Sequence, residues 1–265
     1  MKLRFFIPAF LLLASCIDLP AQNLLWSDEF DQSGLPDPSK WTYDVGDSGW
    51  GNNELEYYTE KDLKNARVED GLLIIEAIQD SAYPKGYSSA RLLTRGLASW
   101  KYGYIEVKAK LPEGRGTWPA IWMLPDKATY GGWPKSGEID IMEHVGFDPG
   151  VVHGTVHTEA FNHTRSTQKG KQVKVDTFHQ DFHTYAIHWQ KDQIDFYLDG
   201  KKYFTFANTG GDFEEWPFDQ PFHLILNIAV GGNWGGQKGV DDSIWPQRME
   251  IDYVRVYDSP PGPKE

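Results

Sequence analysis

The sequence predicts an all-β protein, a sandwich of two antiparallel sheets, on three observations. Short runs alternate apolar and charged residues with the period of two that a half-buried strand requires. Gly, Pro and Asn separate those runs at short intervals, as turns between strands do. No long stretch carries the 3.6-residue period of an amphipathic helix, and no internal repeat is found.

Taken along the chain, the elements are as follows. Gly71 to Ala77 is a continuous apolar run of strand length, suited to burial on both faces. In Ile105-Glu106-Val107-Lys108-Ala109-Lys110-Leu111 the apolar residues fall on one face and the charged ones on the other. Gly137 to His144 is a third strand, with acids at alternate positions. Ile194 to Leu198 leads through Asp199-Gly200 into Lys201 to Phe206, and Asp-Gly between two such runs marks a tight hairpin. Phe222 to Ile228 is a second fully apolar strand, and Ile251 to Tyr257 closes a single domain over 22–258. The Pro-rich segment 259–265 is a tail.

Composition narrows the function. The chain has 265 residues, 38 acidic against 26 basic, and a formal charge of −12. No basic run appears, so binding to nucleic acid is not expected. One cysteine cannot make an intramolecular disulfide. Aromatic content is high, with 11 Trp, and tryptophan serves either as core filler or as a stacking surface for sugar rings.

Residues 1–21 are expected to be a leader. Lys2 and Arg4 precede an apolar run from Phe5 to Ala14, too short for a membrane span of about twenty residues but the length of a signal-peptide core. Two processing routes fit. Leu13-Ala14-Ser15-Cys16 resembles a bacterial lipoprotein box, with lipid attached at Cys16 as the mature N-terminus; cleavage after Ala21 would instead release a soluble protein. The position of the single cysteine favours the first, which takes the charge from −12 to −14 by loss of Lys2 and Arg4. Either way the protein is expected to be exported, to the cell surface or beyond. No sign of an obligate oligomer is seen, and a monomer is expected.

The chemistry centres on Gly137-Glu138-Ile139-Asp140-Ile141-Met142-Glu143-His144. Glu138 and Asp140 share a face. Glu143 would fall on the opposite face of a regular strand, but a β-bulge at Ile141-Met142 returns it, leaving Ile139 and one bulge residue in the core. Retaining glycoside hydrolysis needs two carboxyl groups about 5–5.5 Å apart. The bulged strand separates the two glutamate Cα atoms by roughly 13 Å, at ~3.3 Å per residue, a gap that two long acids reaching inward nearly close. Three neighbouring carboxylates cannot all ionise cheaply, so at least one holds a proton near neutral pH, as a general acid must. A solvated acidic face or a cation site is the competing account, weakened because the stretch has no basic residue to pair with the acids.

The segment Trp133 to Gly146 resembles the active-site strand of glycoside hydrolase family sixteen, in its laminarinase (endo-β-1,3-glucanase) branch. Further similar stretches are Trp50 to Tyr58, Ser89 to Leu92, Gly116 to Pro125 and His153 to Thr158. The resemblance implies a β-jelly roll with a concave substrate cleft and retaining hydrolysis of laminarin-type β-glucan, with mixed-linkage β-1,3-1,4-glucan left open as a second substrate. A non-catalytic glucan-binding module, or a hydrolase for another polysaccharide such as agarose, is the alternative. It makes Glu138 the nucleophile, Glu143 the acid/base, Asp140 the residue that tunes Glu138, and His157 a hydrogen-bonding neighbour. His144 is expected to be structural. Asn53, Glu56 and Arg91 would grip sugar hydroxyls, Trp118, Trp122 and Trp133 would stack on sugar rings, and Phe161 would serve the leaving-group side. Trp234, in the loop Gly231 to Gly236, would stand at the rim. No cofactor is implied for catalysis, but a structural Ca²⁺ is, held by backbone oxygens and one carboxylate at Glu29, Gly71 and Asp252.

Overall fold

The computed structural model describes residues 22–261, in two sheets. The expected leader, Cys16 included, and the last residues of the tail lie outside the described residues. With the strands numbered in chain order, one sheet contains β1 (Leu24–Asp28), β3 (Glu56–Tyr58), β4 (Ala66–Glu69), β5 (Leu72–Gln79), β6 (Tyr87–Ser89), β8 (Gly103–Lys110), β13 (His183–Trp189), β14 (Gln193–Leu198), β15 (Lys201–Ala207) and β17 (Gln247–Tyr257). The other contains β2 (Thr42–Asp44), β7 (Arg91–Leu93), β9 (Thr117–Pro125), β10 (Glu138–His144), β11 (Val151–His157), β12 (Lys169–Lys174) and β16 (Phe222–Val230), in the order β12-β11-β10-β9-β16-β7-β2. Pairing is antiparallel except between β3 and β6. The regular non-strand element among the described residues is a single 3₁₀ turn, His163–Arg165.

The expected strands are present. β8 alternates buried and half-buried residues along its second half, as its charge pattern requires. Asp199 and Gly200 both take positive φ, 49° and 73°, the geometry a two-residue hairpin loop needs to follow the strand twist. All nine residues of β16 are buried. One of its faces joins the core through Leu224, Leu226 and Ile228. The other carries Asn227 and Ala229 on a covered cleft floor. The core fills the space between the sheets, with Leu73, Ile75 and Val107 from one layer and Ile121, Met123 and Ile139 from the other.

The end of β10 is held by a close backbone approach. Gly146 N–H donates to the Thr117 carbonyl at 2.9 Å. A Cβ at Gly146 would stand 1.7 Å from the Gly114 carbonyl oxygen and 2.5 Å from Thr117 Oγ1. Gly146→Ala is expected to destabilise the fold by about 3 kcal/mol or more, because the clash is with backbone that cannot turn aside. Urea denaturation measures it, and a loss below ~1 kcal/mol would show that the loop yields.

Candidate active site

Strand β10, third in the second sheet, is built around one extra residue. On its β11 side, Asp140 pairs with Thr155 and the next pair is Glu143 with His153. On its β9 side, Asp140 pairs with Trp122 and the next pair is Met142 with Ile121. Both ladders therefore shift between Asp140 and Glu143, at the expected bulge. The bulge differs from expectation in one respect. Ile141 and Met142 are both in the core, 1% and 0% exposed, rather than one of the two. Glu138, Asp140 and Glu143 all face the same cleft.

Each glutamate receives an indole N–H. Trp133 Nε1 donates to Glu138 Oε2 at 2.9 Å, and Trp118 Nε1 donates to Glu143 Oε1 at 3.1 Å. Glu138 and Asp140 stand close enough on one face for each to shift the other's titration. His157, opposite Glu138 on β11, places Nε2 3.3 Å from Asp140 Oδ2 and 3.7 Å from Glu138 Oε1. That is ion-pair distance, but His157 does not make the expected hydrogen bond: Asp140 Oδ2 has no aligned donor. Removal from water pushes Glu138 up to about 8, with the Asp140 charge adding to it and His157 opposing. Burial likewise raises Glu143 to about 7, and Asp140 well above the usual carboxylate range, with Glu143 next to burial as the cause. Glu138, Asp140 and His157 could also converge on a cation, each offering an atom within 4.8 Å of the others. The indole donor on Glu138 suits a carboxyl group that reacts rather than one that ligates. His144 is structural, as expected. Fully buried, it accepts the Gly150 N–H at Nε2, and burial depresses it to about 3.

The cleft has a volume of about 830 Å³. Trp118, Trp122, Trp133, Trp234 and Arg91 line it, as expected from sequence. Trp118 and Trp234 meet edge to face at 5.6 Å. Arg91 is sandwiched between Trp50 and Trp122, 4.9 and 4.7 Å from the ring centres, and pairs with Asp44 at 3.2 Å. Three assignments are corrected. Asn53 is off the cleft wall: its side chain donates to Asn233 Oδ1 at 2.8 Å and ties two loops together. Glu56 is fully buried and accepts the Val230 N–H at 2.6 Å, because the β3 alternation turns it beneath the wall. Phe161 packs on the core, edge-on to Phe206 at 6.2 Å. Among the cleft-lining residues missed are Trp50, Glu54, Asn227 and His153. Trp50 and Glu54 lie in the Trp50–Tyr58 stretch that signalled the site. Asn227, a polar residue inside an apolar strand, was the available signal on β16.

The expected Ca²⁺ positions come together at a gap in the first sheet. One edge of β17 pairs with β5 as far as Ile251–Leu73 and with β1 from Val254–Asp28 onward. Glu29 and Gly71 therefore flank the stretch at Asp252, where β17 is also bulged against β8. Backbone ladder bonds are missing there, which leaves carbonyl oxygens for a hard cation. The side chains have partners already: Arg255 grips both oxygens of Glu29, at 2.9 and 2.7 Å, and Lys108 lies 2.7 Å from Asp252 Oδ2. With both carboxylates ion-paired, a cation in the gap would rest mainly on backbone oxygens.

Comparisons with known proteins agree with this site. Residues 48–255 match Glycosyl hydrolases family 16. A β-glucanase of Rhodothermus marinus is 59% identical over 245 residues, covering 90% of this chain and 86% of that protein. Glucan endo-1,3-β-glucosidase A1 of Niallia circulans is 40% identical, covering 90% of this chain and 38% of its own greater length. The X-ray structure of the laminarinase from Rhodothermus marinus superposes with a TM-score of 0.88 at 59% identity, covering 90% of this chain and 98% of that one.

The raised carboxyls make a stability prediction. A group whose folded pKa lies above its unfolded value of 4.5 stabilises the fold relative to high pH, and that stability is lost as pH rises toward about 7 to 8. Glu143→Gln removes one such titration. The variant is expected to melt above the parent at pH 8 by about 2–4 °C, the shift of ~1 kcal/mol in a chain of this size. The gap should narrow at pH 4.5; a constant gap would mean that the carboxyl is not held protonated by the fold.

Proposed function

The chain belongs to glycosyl hydrolase family 16, and from that membership and its carboxyl geometry we propose a retaining endo-β-1,3-glucanase with Glu138 as nucleophile and Glu143 as acid/base. One observation carries the reading: two glutamates brought to one side of a bulged strand, each under an indole donor in one cleft.

In the first step Glu138 attacks the anomeric carbon as the bond to the leaving oxygen breaks, and Glu143 gives its proton to that oxygen. A covalent glycosyl-enzyme results. In the second step Glu143 takes a proton from water as that water displaces Glu138, restoring the original configuration. A proton held on Asp140 leaves Glu138 ionised for attack, and His157 favours the ionised forms of Glu138 and Glu143. Trp118, Trp122, Trp133 and Trp234 offer ring faces to pyranose rings, and Arg91 offers donors to hydroxyls.

The substrate class is neutral β-1,3-glucan of the laminarin type, with mixed-linkage β-1,3-1,4-glucan a second substrate. An acidic chain with acids in its cleft disfavours sulfated galactans. A binding module without turnover is the weaker reading, since both carboxyls are in place. The protein is proposed to work as a monomer, exported on its residues 1–21, with Cys16 as the point of lipid attachment. It needs no cofactor for the chemistry, and a Ca²⁺ at Glu29, Gly71 and Asp252 is proposed to hold the gap in the first sheet.

Laminarin hydrolysis followed by NMR is expected to show the β-anomer first. Glu138→Ser and Glu143→Ser should each lower turnover by about 10³-fold or more; a variant with near-parent rate loses its assigned role. For the cation, Ca²⁺ at a hundredfold excess over Kd should raise Tm by about 5–10 °C relative to chelated protein. An unchanged Tm would dismiss the site.

A further inference from the structure

The face of the acid cluster turned toward β11 carries a geometry that the hydrolysis does not explain. His157 Nε2 stands 3.3 Å from Asp140 Oδ2 and 3.7 Å from Glu138 Oε1, and it hydrogen-bonds neither. Asp140 is 2% exposed, yet its Oδ2 has no partner. Glu138 Oε1 lies beyond hydrogen-bond reach of the ring. The Trp133 indole occupies Glu138 Oε2, so Oε1 is the oxygen left for another contact. Among the described residues, no lysine or arginine pairs with Glu138, Asp140 or Glu143. One imidazole nitrogen and two carboxylate oxygens thus converge, each within 4.8 Å of the others, without bonding among themselves through that nitrogen.

We propose that Glu138 Oε1, Asp140 Oδ2 and His157 Nε2 form a site for a divalent transition-metal ion of the zinc type, and that its occupation stops turnover by capping the nucleophile. The inhibitory half of the inference rests on the reading of Glu138 as that nucleophile. Distances select the ion. Zinc bonds of about 2.0–2.2 Å to nitrogen and oxygen, set at tetrahedral angles, put neighbouring ligand atoms about 3.3–3.6 Å apart. The separations of 3.3 and 3.7 Å from Nε2 are close to that edge. Octahedral magnesium would draw its neighbours in to about 2.9 Å, and calcium takes about six to eight oxygens, which this set does not supply. An imidazole ligand also favours zinc, copper or nickel over either. Three protein ligands leave the fourth corner to water from the cleft. An ion on Oε1 withholds that oxygen from the anomeric carbon, so metal and sugar exclude one another. His157 Nδ1 is buried without a partner, whereas a ligating histidine usually donates its other N–H. That missing support lowers affinity by about 10–100-fold, which suits an ion taken up and released with the surroundings rather than a resident one.

The test adds Zn²⁺ to the full chain in buffer that holds Ca²⁺. Calorimetry on the parent, His157→Gln, Asp140→Asn and His183→Gln measures zinc affinity without substrate, with melting curves to establish folding. His157→Gln and Asp140→Asn are each expected to weaken the tightest zinc site by about tenfold or more. His183→Gln, which removes an imidazole paired with Asp199 on the other sheet, should leave it within about twofold. Co²⁺ in place of Zn²⁺ should give the strong visible absorption of a four-coordinate ion, lost in His157→Gln. On laminarin, Zn²⁺ at a hundredfold excess over its Kd should raise the apparent KM of the parent about a hundredfold with kcat unchanged, and Mg²⁺ at equal concentration should not. A tightest site that survives both ligand substitutions, inhibition that lowers kcat and leaves KM, or equal inhibition by Mg²⁺ overturns the proposal. Where His157→Gln does not fold, Asp140→Asn, which keeps the side chain's shape, decides. The two readings fail separately: a parent that binds zinc at these residues but never cleaves laminarin refutes the catalytic reading alone, and a parent that cleaves laminarin and binds no zinc refutes this one.

Discussion

The bulge in β10 is the constraint on which the site depends. The strand is bonded along both edges, by β9 and β11, so its side chains have no freedom to rotate between faces. A regular strand would send Glu143 into the space now filled by Ile139, Ile141 and Met142. A carboxyl group there would meet no water and few donors, at a cost of several kcal/mol. Inserting one residue reverses that outcome: Met142 joins Ile139 and Ile141 in the core and the acid returns to the cleft. Burial of Ile141 and Met142 thus holds in place the kink that the chemistry uses.

The same enclosure sets the charges. Burial, ahead of any neighbouring charge, is the largest cause of the raised pKa at Glu138, Asp140 and Glu143. Glu138, at about 8, stands above Glu143, at about 7, an order opposite to that of a nucleophile and its acid. The titration belongs to the cluster, however, and one proton is shared between Glu138 and Asp140. With that proton on Asp140, Glu138 is an ionised carboxylate with an acid beside it as well as the Trp133 donor. Glu143 has Trp118 alone. Surroundings richer in donors stabilise the negative form, so the geometry favours Glu138 for attack and Glu143 for proton transfer.

Much of this was legible in the sequence, and its limits have physical causes. Period-two alternation found the strands, and Asp199-Gly200 found the hairpin, because both depend on local backbone geometry. The bulge was readable because one residue too many stood between acids that must share a face. Tryptophan was harder: Trp41 and Trp189 are fully buried core residues, while Trp118 and Trp122 line the cleft, and composition cannot separate the two. Asn53 and Glu56 were misplaced because the stretch before β3 turns through positive φ at Trp50 and Asn53. That turn reassigns which polar side chains look outward, bringing Glu54 to the surface of the cleft and sending Glu56 under it. Phe161 was placed by its nearness in sequence to His157, but the chain doubles back after Thr158, through a Phe161 N–H to Thr158 carbonyl bond, and the ring turns to the core.

Register also joins sugar binding to catalysis. On β9, Ala120 pairs with Glu143 on one side and with Asn227 on the other, and Trp122 pairs with Asp140 on one side and with Ile225 on the other. The indole of Trp122 reaches back to Asn227, and through it to Tyr58 and Glu54. One strand therefore carries the floor of the binding wall and fixes the level of the catalytic acids. A movement of β9 by one residue would turn Trp118 and Trp122 away from the cleft and would also uncouple both tryptophan donors from their acceptors. The cleft wall and the acids cannot drift independently, and that shared backbone keeps Trp122, with Arg91 stacked on it, at a fixed distance from Glu138 and Glu143.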